Sequence, residues 1–506
     1  MTAAWPRSVV TPMEAYRSLI ILGSVVIYML MCIGVGLWAM RRTKSTHDFF
    51  MAGRHLGILV TGVAVFSSTM SGFGFVGGPG LVYKMGVSSF WMVVSASVGI
   101  SLSFFLLAKR LRLFAELRET ISLPDAVLVR YNSRSTSFLT AVAILLGVMG
   151  YLAAQIGAMA IVLQTILAEV PWIPSVPREM CLVVSTAVLV FYCVSGGIVA
   201  SVYTDLVQGL IMVVAALLVL LTAVATVENG MTGMSRILLA DDPESIGPWG
   251  TLGIVGCLSW YFVFVLGACG QPHVITKFMM TRRLGDARHM LPVSVFGYAI
   301  SALLWIGIGL SMRALVLSGQ EPPLLEADNA APQFLQHYAH PLLAGVVFAG
   351  LLAAIMSTAD SFLNIGAAAV VHDIPRAWRG RSLDNELYWA RVATVSIAAA
   401  AAMFALFSEN LVALLGAFGW GTFAAAIVPT VAIGFNWKRA TPMACNLAIG
   451  ASLLVNFFLE VRQIKLPYGF HGGAFSLLIS LTIFYLVSVA TPPPSIDADI
   501  DQAMDL

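Results

Sequence analysis

The chain falls repeatedly into apolar runs of about 20 residues, the length a helix needs to cross the hydrocarbon core of a bilayer, set apart by short charged or proline-rich stretches. Backbone inside lipid has no water to bond to, so a chain of this kind folds as helices or as a closed barrel. Long runs without strict alternation of apolar and polar residues select helices. Thirteen spans are expected, over residues 18–40, 57–83, 87–107, 137–168, 180–195, 200–226, 250–278, 289–312, 341–372, 387–407, 411–435, 442–460 and 473–491.

Composition agrees. Only 11% of the 506 residues are charged and 59% are hydrophobic, with a mean hydropathy of +0.88, against about 25% charged in a soluble domain. A soluble enzyme, a nucleic-acid binder, a disulfide scaffold and a disordered chain are thereby excluded. The six cysteines, Cys32, Cys181, Cys193, Cys257, Cys269 and Cys445, lie in or beside apolar runs with no Cys-x-x-Cys pair. They read as small buried thiols at helix contacts.

Orientation follows from the basic residues, which favour the cytoplasmic side. With the N-terminus outside and thirteen spans, 20 of the 28 Lys and Arg fall inside, those from Lys277 to Arg288 among them in one inner loop, and 8 outside. The inner membrane is the expected location, with the C-terminus cytoplasmic. Arg41, Arg42 and Lys44 follow the first span instead of preceding it, so that span is a retained helix and not a cleaved leader. Residues 1–17 then form an outer N-terminus and 492–506 a cytoplasmic tail. Its Pro492-Pro493-Pro494 and Asp497, Asp499, Asp501 and Asp505 read as disordered, with no function assigned.

Two spans carry breaks at their centres. The second reads Ser67-Ser68-Thr69-Met70-Ser71-Gly72-Phe73-Gly74-Phe75-Val76-Gly77-Gly78-Pro79-Gly80, and the seventh contains Gly270-Gln271-Pro272-His273. Non-helical backbone at membrane depth is tolerated where it lines a cavity or is buried in protein, and paired broken helices are the sequence signal of a transporter site. With the first span (18–40) set aside, the broken helices are the first and sixth of twelve. Two five-helix repeats of opposite orientation follow, over 57–226 and 250–435, with two further helices at 442–491.

Acidic side chains within spans are costly, at about 2.5 to 3.5 kcal/mol each on insertion scales. Asp205 stands near the start of the sixth span and Asp360 midway along the ninth, while His273 follows the second break, where an exposed carbonyl is expected to satisfy it. In the ninth span Ser357, Thr358, Asp360 and Ser361 fall within about one helical turn, next to Ala353, Ala354 and Ala359. The Ser357 and Thr358 hydroxyls with the Ala354 carbonyl offer the neutral hard oxygens that suit sodium. The same hydroxyls could instead bond back to their own helix.

At these positions the sequence resembles the solute:sodium symporter family. The resemblance rests on Asp48-Phe49-Phe50-Met51-Ala52-Gly53-Arg54, on Gly196-Gly197 through Thr204-Asp205 with Gln208, on Gly270-Gln271-Pro272-His273, and on Ala354-x-Met356-Ser357-Thr358 ending at Asp373. It implies an all-α integral membrane protein with the leucine-transporter fold and thirteen helices. It further implies a sodium site built from the carbonyls of Ser67, Met70 and Ala354 and the hydroxyls of Ser357 and Thr358. Asp205, Asp360 and Ser361 stand where relatives with a second ion place its additional ligands. Asp360 replaces the usual serine, so a second sodium, a proton and a gating role all remain open.

The implied solute pocket is lined by Ser71, Gly72, Phe73, Gln155, Phe264, Gln271 and Trp420, which suits a small polar organic solute. Gln271-Pro272-His273 is similar to the proline carriers, whereas Gly77-Gly78-Pro79-Gly80 with Tyr83-Lys84 is more similar to the pantothenate carriers. The expected activity is sodium-coupled symport by alternating access, with proton coupling or a transporter-like sensor as the alternatives. A sensor is expected to carry a long signalling extension, and fifteen residues follow Thr491. The chain lacks His-Glu-x-x-His, Gly-x-Ser-x-Gly and a phosphate-binding loop, so neither an intramembrane enzyme nor ATP drive is expected.

Overall fold

The computed structural model describes residues 16–40, 50–51, 56–170, 172–407 and 412–505. Apart from one bridge between Leu56 and Thr281, the regular structure among these residues is helical. In chain order the helices are α1 (Arg17–Met40), α2 (Ile58–Thr69), α3 (Gly78–Met85), α4 (Phe90–Ser103), α5 (Lys109–Arg118), α6 (Leu123–Tyr131), α7 (Arg134–Ala168), α8 (Arg178–Thr226), α9 (Gly230–Asp241) and α10 (Gly253–Ala268). They continue with α11 (Pro272–Met279), α12 (Ala287–Leu317), α13 (Ala330–His337), α14 (Pro341–Ala368), α15 (Ile374–Arg379), α16 (Glu386–Phe407), α17 (Val412–Ile427), α18 (Pro442–Val461), α19 (Gly472–Ala490) and α20 (Ala498–Met504).

Both breaks fall where hydroxyl, glycine and proline residues place them. α2 stops at Met70, whose φ of −82° and ψ of 70° leave the helical region. The chain then restarts through a turn of π-helix, Phe73–Gly77, into α3. The second break follows α10: Gln271 is extended, and Pro272 opens α11 at a position where a missing N–H costs nothing.

Small residues let the helices approach. A Cβ on Gly297 of α12 would sit 2.4 Å from the Phe66 ring of α2, and one on Gly309 would sit 2.4 Å from Val82 of α3. α14 packs against α8, α1 and α7, and α17 packs against α7 and α19. Outward, Phe105, Ile27, Phe407 and Leu454 are exposed, as lipid-facing side chains must be. Exposed Trp378, Tyr388 and Trp389 at one end of the bundle and Trp172 and Tyr468 at the other match the aromatic belts of a membrane interface.

Eleven helices among the described residues are long and apolar enough to cross a membrane, which does not reproduce the expected thirteen. The broken second span divides into a 12-residue α2 and an arm that runs on with the next helix as Gly74–Arg118. The fifth and sixth spans are joined in one hydrogen-bonded helix, the 49-residue α8. Gly196 and Gly197 do not interrupt it, because glycine weakens a helix by about 1 kcal/mol but keeps its N–H donor.

The acidic tail is also not what its composition suggests. α20 docks on the bundle with Ile500, Ala503 and Met504 buried. Arg118 pairs with Asp497 and Asp499 at 2.8 and 2.7 Å, and Lys438 pairs with Asp501 and Asp505, both at 2.8 Å. A tail that is polar on average still folds here because three apolar side chains share one face. The N-terminal residues 1–15, and Asp48, Phe49, Ala52, Gly53 and Arg54 of the first family stretch, lie outside the described residues.

Candidate functional site

The last four carbonyls of any helix have no partner within it, and the end of α2 turns this to use. Phe66 O accepts the Met70 N–H at 2.9 Å, which ends the ladder and leaves the carbonyls of Ser67, Ser68, Thr69 and Met70 without a partner inside α2. α14 lies alongside. The Thr358 hydroxyl donates to Ser68 O at 2.9 Å and lies 3.1 Å from Ala354 O, while the Ser357 hydroxyl is 3.0 Å from Ala354 O. Ser67, Met70, Ala354, Ser357 and Thr358 are all buried, and the Ser67 hydroxyl has no hydrogen-bond partner. Two hydroxyls beside the carbonyls left at the end of α2 are neutral hard oxygens of the kind that fits sodium.

Lys277, on α11, joins this cluster. Its ammonium donates to Ala64 O at 2.9 Å, to the Ser68 hydroxyl at 2.8 Å and to Asp205 Oδ2 of α8 at 3.1 Å, with 1% and 0% of the two charged side chains exposed. Asp205 is thus a buried partner to a lysine and not an interfacial acid. Sequence reasoning assigned Lys277 to an inner loop. The available signal was its place five residues after Pro272, inside the seventh span. Gln208, one turn beyond Asp205, donates to the Tyr28 hydroxyl at 2.7 Å and ties α8 to α1.

One turn along α14, Asp360 accepts from Asn364 Nδ2 at 2.7 Å and leaves Oδ2 without a hydrogen bond, as is the Ser361 hydroxyl. Asp360 faces Ser201 and Cys193 of α8. Ser361 lines a small cavity of about 30 Å³ with His273, Thr276, Lys277, Asn364 and Asp373, and not the carbonyls at the end of α2.

That cavity runs toward a charged cluster at the end of α14. Asp125 of α6 accepts from Arg376 at 2.7 Å and lies 3.0 Å from His372 Nε2; His372 Nδ1 is 2.8 Å from Glu386. Burial raises the Asp125 carboxyl, but His372 and Arg376 outweigh it and hold it below the usual range. The Ser122 hydroxyl donates to Asp373, fastening α6 to the end of α14.

The solute-pocket candidates assemble at the breaks. Gln155 Oε1 of α7 accepts the Gly72 N–H at 2.8 Å, and a Cβ on Gly72 would lie 2.8 Å from both Ala158 and Ile355. The buried Ser71 hydroxyl faces the Tyr151 hydroxyl, and Gln155 Nε2 is buried without a partner. At the second break Gln271 Nε2 donates to Gly267 O at 3.0 Å, and its Oε1 is unpaired. Phe264 and Trp420 pack with ring centroids 5.3 Å apart. The side chain of Phe73 lies outside the described residues.

His273 is not satisfied by a carbonyl of the break. The buried ring faces the Ser68 backbone at the first break and packs on Phe362 at 4.4 Å. The Gly267 carbonyl accepts both the Gly270 N–H, at 2.9 Å, and Gln271 Nε2. Above Phe264, Trp260 and His471 close the floor of a cleft of about 650 Å³ that Phe418 and Asn456 also line.

Two discontinuous helices side by side, orphaned carbonyls at one break and orphaned amides at both, define a secondary transporter of the broken-helix class. The same architecture is found in a sodium-coupled sialic acid symporter, with a TM-score of 0.76 at 18% identity over 94% of this chain and 99% of that one. Mhp1, a nucleobase-cation-symport-1 family transporter, gives a TM-score of 0.55 at 12% identity over 91% and 99%. The profile of the sodium:solute symporter family matches residues 49–445, and the chain belongs to that family. Its relatives include the osmoregulated proline transporter OpuE of Bacillus subtilis, 28% identical over 94% of this chain and 96% of that protein, and a sodium/proline symporter of Staphylococcus aureus, 26% identical over 95% of each. The protein is therefore a multi-pass membrane transporter and not an enzyme, and sodium is its coupling ion.

Proposed function

We propose that this symporter carries proline or a closely similar small amino acid. The observation that carries the reading is the pair of buried, unpartnered polar atoms at the two breaks, Gln155 Nε2 and Gln271 Oε1. Buried polar groups are normally paired, and a zwitterion supplies both the acceptor that Gln155 Nε2 lacks and the donor that Gln271 Oε1 lacks. Phe264 and Trp420 give the ring of such a solute an apolar wall. The proline transporters among the relatives support the same class.

In this reading sodium binds to the carbonyls of Ser67, Met70 and Ala354 and the hydroxyls of Ser357 and Thr358, holding α2 against α14. Coupling follows if the ion has unequal affinity for the two states of that contact. Residues 57–226 and 250–435 form the inverted repeats. α8, at about 1.5 Å per residue, is about 73 Å long, more than twice the hydrocarbon thickness of about 30 Å. It supplies two crossings, and with α2 that restores thirteen. The N-terminus is then outside and the C-terminus in the cytoplasm of the inner membrane. Proteoliposome uptake of labelled proline, other amino acids and pantothenate, with and without an inward sodium gradient at fixed pH, tests the proposal. Sodium-driven accumulation of proline supports it; accumulation of pantothenate alone overturns the solute assignment.

A further inference from the structure

We propose that the Lys277–Asp205 ion pair is a built-in counter-charge that sets how tightly the neighbouring site holds sodium. The inference rests on the sodium ligands proposed above. Ser68 is the shared element: its carbonyl takes the Thr358 hydroxyl at 2.9 Å, and its own hydroxyl takes the Lys277 ammonium at 2.8 Å. The ammonium also occupies Ala64 O, at 2.9 Å, one turn before the Ser67 carbonyl. Ion and ammonium therefore share the end of one helix, α2, where the partial charges of the free carbonyls favour a cation.

A buried lysine beside a cation site would repel the ion, and a buried aspartate would hold it too firmly to release. Together they cancel. Asp205 gives Oδ2 to Lys277 at 3.1 Å, and its carboxylate also faces the Ser357 hydroxyl, one of the ligands proposed above, so its field reaches an ion held there. An ion that must enter from one side and leave on the other is served by a site that binds it only moderately. The pair gives that site two full charges whose sum is zero, in an interior where neither is screened by salt.

The arrangement makes a signed prediction for each half. Lys277→Gln leaves Asp205 uncompensated and tightens sodium binding. Asp205→Asn leaves the ammonium uncompensated and weakens it. The double variant returns close to the wild type. A full charge left uncompensated near the ion, at an effective dielectric near 20, shifts its binding by at least about tenfold in each direction. A merely structural salt bridge predicts losses of the same sign from both single variants.

The test is sodium titration of the purified full-length protein without solute, with choline as the balancing cation, read as the sodium concentration at half-maximal thermal stabilisation. K277Q is expected to lower that midpoint by at least about tenfold, D205N to raise it by at least about tenfold, and K277Q/D205N to fall within about threefold of the wild type. Shifts of equal sign in the two single variants, or a double variant that is not restored, overturn the proposal. If K277Q does not fold, D205N and the double variant carry the test, and an unshifted D205N overturns it. T358A is measured in parallel: its midpoint unchanged would refute the ligand assignment while leaving the pair to be judged by its own variants.

Discussion

The Thr358 hydroxyl donates to the Ser68 carbonyl at 2.9 Å, across 290 residues of sequence and between the unbroken α14 and the end of the broken α2. This bond joins a helix that carries hydroxyls at membrane depth to one that has run out of amides for its carbonyls. Thr358→Ala removes the hydroxyl from both Ser68 O and Ala354 O. The sodium concentration for half-maximal uptake should rise about tenfold, the equivalent of about 1.4 kcal/mol, with a smaller change in the apparent affinity for solute. Sodium activation curves that overlay those of the wild type would remove Thr358 from the ion site.

Gly72→Ala tests how closely the restart of the first broken helix is held. The added methyl would lie 2.8 Å from Ala158 Cβ and from Ile355 Cγ1, and 3.1 Å from Gln155 Oε1. Overpacking of this kind costs about 1–3 kcal/mol, so the variant should unfold at lower temperature and lose most uptake while still inserting in the membrane. Wild-type uptake would mean that α7 and α14 yield at this point.

Gln155→Leu and Gln271→Leu, made separately, should each raise the solute KM about tenfold or more, because each removes a polar group presented to the pocket, and leave the sodium midpoint measured without solute near the wild-type value. Equal effects on both quantities would place the glutamines in the fold of the breaks and not in solute recognition.

His471, half-buried just ahead of α19, accepts the Gly473 N–H on Nδ1 at 3.1 Å. Burial pushes its pKa down to about 4 from the ordinary 6.5. A depressed folded-state value means that the neutral ring's contribution to stability is complete above about pH 6.5 and is lost as the pH falls through about 4. Thermal stability of the wild type should therefore decline between those limits more steeply than that of His471→Gln. Parallel profiles would show that the ring is already protonated in the folded protein or indifferent to it.

The docked tail makes a prediction about ionic strength. The pairs of Arg118 with Asp497 and Asp499, and of Lys438 with Asp501 and Asp505, lie at the protein surface, where salt screens them. Hydrogen exchange in α20 should quicken from 50 to 500 mM salt and in an Arg118→Ala/Lys438→Ala variant at low salt. Exchange that ignores both changes would assign the docking to Ile500, Ala503 and Met504 alone.

Read locally, the chain announces its membrane class, both helix breaks and the hydroxyl cluster at Ser357 and Thr358. Each of these is a property of neighbouring residues: hydropathy over 20 positions, a proline without a donor, two hydroxyls in one turn. The same local reading put Lys277 in a loop, left α20 disordered and divided α8, because charge, composition and glycine say nothing about which distant surface a segment meets. Only the packed helices brought Lys277 to Asp205 over 72 residues and Gln155 to Gly72 over 83. Burial then decides the outcome: in a low-dielectric interior an unpaired ammonium or amide is costly, so the partners that tertiary structure supplies determine where such a side chain can sit.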